Sequence, residues 1–177
     1  MARVHFTLPT PDWSPFRVER NILIAPRPIT APGFKGVGDR LRTAAFAEVQ
    51  AEAAFLWATQ NYPDAQPELR ESWRLLANEE KKHLHWLLGR MQELSIDIAE
   101  RPVSDILWHS LTRCQNAREF CHHMAGAEER GCRAGERFAQ TILRVDPESA
   151  RVFGQIAVEE KSHIELAYRF FPLERKA

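Results

Sequence analysis

The sequence predicts an all-α protein: a four-helix bundle of two helix hairpins, preceded by an extended N-terminal arm. Three observations predict it. Apolar residues recur at helical spacing through four stretches from residue 39 onward. Prolines bound those stretches and crowd the first 32 residues, where six of the eleven lie. The chain also matches itself when slid by 80 residues. Its 177 residues, 44% hydrophobic and 27% charged, can bury a core and are too apolar for a disordered tail.

The elements follow in order. Residues 1–36 read as the arm, because Pro9, Pro11, Pro15, Pro26, Pro28 and Pro32 forbid a long helix. Trp13, Phe16, Ile22, Leu23, Ile24 and Phe34 make it too apolar to be free, so it is expected to pack on the body or on a second copy in a homodimer, with a short strand within Val18–Ile24. Residues 37–177 form the bundle. Helix one spans roughly Asp39–Gln60 with Asp39 as its N-cap, and stops before Tyr62-Pro63. Helix two spans Pro67–Leu94, with Pro67 at the first helical position, where a missing N–H costs nothing. A connection over 95–115 holds a short helix near Asp105–Leu111. Helix three spans Asn116–Arg130; Gly131 and Gly135 then loosen the chain before a further helical piece at Phe138–Val145. Helix four begins at Pro147 and ends before Pro172, and no alternating segment demands a sheet.

Charge and cysteine content narrow the function. Lys plus Arg and Asp plus Glu both number 24. A zero net charge argues against a nucleic-acid protein held by a broad basic field, although residues 1–42 carry seven basic and three acidic residues. No apolar run approaches the ~18 residues of a membrane span. The start, Met1-Ala-Arg-Val-His5, does not read as a secretory signal. Cys114, Cys121 and Cys132 are odd in number and lack CxxC spacing, which suits reduced thiols in a cytoplasm.

The internal repeat is the most informative feature. Comparing 47–83 with 127–163 gives eleven identities in 37 positions, among them Ala47/Ala127, Glu48/Glu128, Pro67/Pro147, Glu79/Glu159, Glu80/Glu160, Lys81/Lys161 and His83/His163. Each half reads as a glutamate and then, 32 residues on, Glu-x-x-His. Two helix pairs related by a pseudo-twofold axis explain this pattern.

These polar residues fall inside the core stripes. Helix two presents Leu69, Trp73, Leu76, Glu80, His83, Leu87, Met91 and Leu94 at steps of four and three. Helix four repeats it with Phe153, Ile156, Glu160, His163, Ala167 and Phe170. Glu48 lies in the stripe of helix one, and Glu128 in that of helix three. One unpaired buried carboxylate costs several kcal/mol. Four would consume the ~5–15 kcal/mol stability of a domain. The lysines sit off the stripe, so they do not compensate. Two divalent cations do: four glutamates carry −4, two ions carry +4, and neutral His83 and His163 complete the shells. Oxygen and imidazole ligands suit iron or manganese, and zinc also fits.

Glu48, Glu80-x-x-His83, Glu128 and Glu160-x-x-His163 resemble the di-metal carboxylate site of the ferritin-like superfamily over about residues 39–171. Ala47-Glu48-Val49-Gln50, Glu79-Glu80-Lys81-Lys82-His83, Ala127-Glu128-Glu129-Arg130-Gly131 and Glu159-Glu160-Lys161-Ser162-His163 are similar to a bacterial ferritin-like family known only as a domain of unknown function. That family tends to carry a histidine where Phe46 stands here, and an aspartate near Arg133. The resemblance implies a non-haem di-metal oxidoreductase. Two irons, or an iron–manganese or manganese pair, would activate O2 or peroxide, with an unassigned small-molecule substrate. Glu48 and Glu128 would each bind one metal, Glu80 and Glu160 would bridge, and His83 and His163 would be terminal ligands. Three alternatives stay open: the first is a ferroxidase, iron-storage or detoxification protein, and the second, through Cys132 and Glu136-Arg137-Phe138, a tRNA-modifying di-iron hydroxylase. A helical interaction module that has lost its metal is the third.

Other residues read more plainly. Glu52, Glu79, Glu129 and Glu159 read as acids outside the ligand set, mostly on solvated faces, and Glu136 as the partner of Arg133 or Arg137. His85, His109, His122 and His123 have no counterpart in the repeat and read as non-ligands. Cys132, one turn after Glu128, could line a cavity, and Tyr168 reads as packing.

Overall fold

The computed structural model describes residues 11–20 and 22–172. The first ten residues of the arm, Asn21 within the expected strand, and residues 173–177 lie outside them. The described chain is an all-α bundle. Strand β1 (Val18–Glu19) precedes α1 (Lys35–Asn61) and α2 (Pro67–Glu93). Strand β2 (Val103–Ser104), α3 (Ile106–Leu111), α4 (Ala117–Ile142) and α5 (Pro147–Phe170) follow. Short connections fold α1 onto α2 and α4 onto α5. The two hairpins meet where α2 crosses α5 and α1 faces α4. No described helix is long and apolar enough to cross a membrane.

The arm packs on the body. Trp13 and Phe16 are buried, with ring centroids 5.4 and 5.1 Å from Phe46, and Trp13 lies 5.7 Å from Trp108. Phe46 thus fills an aromatic cluster. The strand expected within Val18–Ile24 is confined to β1, which pairs in parallel with β2.

Two expectations are corrected. Helix one begins at Lys35, not Asp39. Gly33 and Phe34 take left-handed backbone (φ 62 and 56) and turn the chain into α1. The arm then crosses so closely that a Cβ on Gly36 would lie 2.0 Å from the Pro28 carbonyl oxygen. Asp39 is not a cap but a buried hub. It accepts from the Arg27 N–H at 2.8 Å, from the Arg27 guanidinium at 2.7 and 3.1 Å, from Arg42 at 2.8 Å, and from Arg101. Three arginines from the arm, α1 and the long connection therefore share one carboxylate.

The second correction is α4, which runs unbroken through Gly131 and Gly135. Each interior glycine costs about 1 kcal/mol relative to alanine. The buried stripe of Cys121, Met124, Ala125, Cys132, Phe138 and Ile142 offsets that cost, with Phe138 edge-on to Phe153 at 4.8 Å. Asn116 caps α4 by accepting from the Glu119 N–H at 2.9 Å, and Asp146 caps α5 through the Ser149 N–H at 3.1 Å. Each cap contributes on the order of 1 kcal/mol. All three cysteines are buried free thiols.

Candidate metal centre

The core stripes carry their polar residues inward at mid-bundle. Leu69, Trp73, Leu76, Leu87 and Met91 of α2 are buried, and so are Phe153, Ile156 and Ala167 of α5. Between them Glu80 and His83 are fully enclosed, and Glu160 and His163 are 3% exposed. Glu48 on α1 is 9% exposed, and Glu128 on α4 is half-buried.

These residues converge. Ligand atoms of Glu48, Glu80, His83 and Glu160 all lie within 4.8 Å of one another, a grouping that could hold a metal ion. His163 Nδ1 adds itself at 3.0 Å from Glu80 and 3.1 Å from Glu160. His83 Nδ1 lies 3.1 Å from Glu160, 3.6 Å from Glu80 and 3.7 Å from Glu48. Glu128 stands outside the tight group and interacts with Glu160 from the α4 side. Glu80 and Glu160 sit on the seam between the hairpins, each close to both imidazoles.

Several of these close approaches are not hydrogen bonds. Both oxygens of Glu80, both of Glu160, and Nδ1 of His83 and His163 are buried without a hydrogen-bond partner. Native interiors leave only a few such groups unsatisfied, and elsewhere among the described residues only the Trp13 and Trp57 ring nitrogens are so placed. Here six atoms are so placed at one point, aimed at each other. Donor atoms of that type and geometry fit a cation between them.

The outer ring nitrogens are satisfied. His83 Nε2 lies 2.9 Å from Glu159 Oε2, and His163 Nε2 lies 2.8 Å from Glu79 Oε2. The two contacts interchange under the 80-residue shift, so the sequence repeat is a spatial pseudo-twofold in which each hairpin orients the other's imidazole. Donation from Nε2–H leaves the Nδ1 lone pair facing the cluster, the arrangement carboxylates impose on metal-binding histidines. This corrects the reading of Glu79 and Glu159 as solvated neighbours. Glu159 is 23% exposed along its side chain and Glu79 41%. Both recur in the repeat; only their adjacency to the stripe concealed them.

Electrostatics follow from enclosure. Burial pushes Glu48 well above the usual carboxylate range, and burial with the charges of Glu160 and Glu80 does the same to Glu128. Burial would also raise Glu80 and Glu160, but the adjacent imidazoles hold both low. Burial would lower the histidines; their carboxylate neighbours win, and His83 is pushed up to about 12 and His163 to about 11. These directions favour protons at Glu48, Glu128 and both imidazoles when no cation stands among them, protons that bound cations would displace.

The other sequence expectations find their places. Glu136 pairs with Lys161 at 3.8 Å rather than with Arg133 or Arg137. His109 pairs with Asp105 at 3.0 Å, the His122 ring lies tilted 5.8 Å from that of Tyr168, and His85 and His123 are exposed. Trp73 and Trp108 are core, Trp57 is half-buried, and half-buried Trp86 lies 5.5 Å from the His83 ring. Cys132 lines a cavity and donates to the Ala157 carbonyl at 3.3 Å.

That cavity, of about 380 Å³, lies between α1 and α4 and ends at Glu48, Glu128 and Glu160. Its walls are apolar: Ala44, Ala47 and Ala51 of α1, Ala127 and Phe138 of α4, and Phe153 and Ile156 of α5. The sequence pointed to it only through Cys132, one turn after Glu128; its extent is a gap between helices of different hairpins. No curated protein and no solved structure matches the chain. One family model does, over residues 5–176, and by it the chain belongs to the family described as protein of unknown function, DUF455.

Proposed function

We propose that this protein is a ferritin-like, non-haem di-iron carboxylate oxidoreductase that uses O2 or peroxide on an organic substrate. The observation that carries the proposal is the set of six buried atoms without partners on Glu80, His83, Glu160 and His163. Glu48, Glu80, His83, Glu128, Glu160 and His163 would hold the two ions. When bound, iron supplies redox chemistry and Lewis acidity. The remaining work falls to the chain. Glu159 and Glu79 hold each imidazole in one tautomer and one orientation. Glu80 and Glu160, each close to both imidazoles, would be available to both ions. Glu48 and Glu128 close the side that opens to the cavity, which admits a substrate while its apolar walls exclude bulk water. The cavity favours an organic substrate over iron storage, which has no use for one. A very large assembly in solution would overturn that preference.

Elemental analysis of protein isolated from its own host tests the reading. About two redox-active metal ions per chain are expected. No bound metal in natively folded protein rejects it.

A further inference from the structure

We propose that the cavity between α1 and α4 binds an amphipathic organic anion, its charged head at Arg40 and its apolar body directed toward the glutamate cluster. Arg40 is the one basic residue in the lining. Its Nη1 donates to the carbonyls of Arg27 and Gly36 at 2.7 and 2.9 Å, and its guanidinium lies 5.4 Å from the Phe138 ring centroid. Among the described residues it has no carboxylate partner and no hydrogen bond from Nε or Nη2. The planar guanidinium is suited to a carboxylate or phosphate head.

The opposite end carries the only acids of the lining, Glu48, Glu128 and Glu160. Eight residues of α1 separate Arg40 from Glu48, about 12 Å of helix rise. Alanines of α1 and α4 line the interval together with Leu107, Phe138, Phe153 and Ile156, an apolar passage that matches an alkyl chain. The volume of about 380 Å³ holds roughly a dozen non-hydrogen atoms at ~30 Å³ each. Gly131 lines the exposed edge of the cavity, and a Cβ added there would meet nothing within 4 Å, so a larger side chain has room at that edge. A substrate role for this ligand rests on the di-iron reading; its binding does not.

Calorimetric titration with decanoate, decan-1-ol and decylamine tests the assignment, on metal-free protein and on protein loaded with redox-inert zinc. One decanoate per chain is expected, bound at least tenfold more tightly than the alcohol, with the amine weakest. Arg40→Met should remove that tenfold preference and leave the alcohol unchanged. Gly131→Leu, which adds a side chain at the cavity edge where a Cβ meets nothing within 4 Å, should weaken both at least tenfold while circular dichroism stays native. Equal binding of acid and alcohol, absence of decanoate binding, indifference to Gly131→Leu, or decanoate affinity set by zinc and not by Arg40 would each overturn it. Decanoate binding in a protein that takes up no metal would sink the di-iron reading and leave this one standing. Metal uptake without decanoate binding would do the reverse.

Discussion

Replacing Glu159 isolates the contribution of a carboxylate that touches no metal position. His83 Nε2 lies 2.9 Å from Glu159, whose two oxygens are further held by Lys82 at 2.6 Å and Gln155 at 2.9 Å. Burial would raise the acid, but those partners and His83 keep it down at about 2, so it is ionised at neutral pH. Carboxylates behind a metal-bound histidine typically contribute about 10–100-fold in metal affinity, or about 1.4–2.7 kcal/mol. Glutamine can still accept from Nε2 through its oxygen but loses the charge. Glu159→Gln should therefore cost near tenfold, and Glu159→Ala near 100-fold. Glu79 is more exposed, at 41% of its side chain, so Glu79→Gln should cost only a few-fold. The double variant should fall short of the product, because the two imidazoles are 5.8 Å apart and closer than the ~7–10 Å at which sites act independently. The assay is competition against a chromophoric chelator at pH 7, with exposed Glu165→Ala as reference. Equal affinities for Glu159→Ala and Glu165→Ala would refute the orienting role.

Three further outcomes are expected. Glu160→Ala should abolish uptake of both ions by elemental analysis, since its oxygens face both imidazoles; retention of one ion would show that it does not bridge. Loading two divalent ions at pH 7 should release up to four protons per chain, from His83 and His163, held up at about 12 and 11, and from Glu48 and Glu128. Calorimetry in buffers of different ionisation enthalpy measures this, and release below one proton would contradict the charge balance. Asp39 is held down at about 2 by Arg27 and Arg101 against its burial, so its contribution is present above the usual carboxylate value of 3.8 and is lost as pH falls through about 2. That contribution is about 2 kcal/mol before solvent screening. Asp39→Asn should cost more at neutral pH, roughly 3–5 kcal/mol, because Arg101 loses its carboxylate and Arg27 and buried Arg42 keep only that of Glu100. In urea unfolding from pH 5 to 2, the gap between wild type and variant should narrow; a constant gap would rule Asp39 out as its source.

The helices and the polar residues at the bundle's centre were legible in the order of residues. Periodicity is a local property: a side chain three or four places along falls on the same face wherever the helix packs, so Glu80, His83, Glu160 and His163 could be placed inward from spacing alone. The repeat added Glu48 and Glu128 and the twofold relation. Other features depend on how separate elements meet. Asp39 occupies a good capping position by type, yet Arg27, Arg42 and Arg101 approach it from three parts of the chain, and an ion-pair hub outweighs one capping bond. Gly131 and Gly135 favour a break locally, but burial of the surrounding stripe carries α4 through them. Glu79 and Glu159 sit one step off the stripe; whether such a residue reaches solvent or the imidazole opposite is settled by the crossing of α2 and α5. The cavity ending at Glu48 and Glu128 is empty space between α1 and α4. Spacing along one chain determines which way a side chain faces. Only the approach of a second helix decides what stands before it, because contact is a distance between elements and not a property of either one.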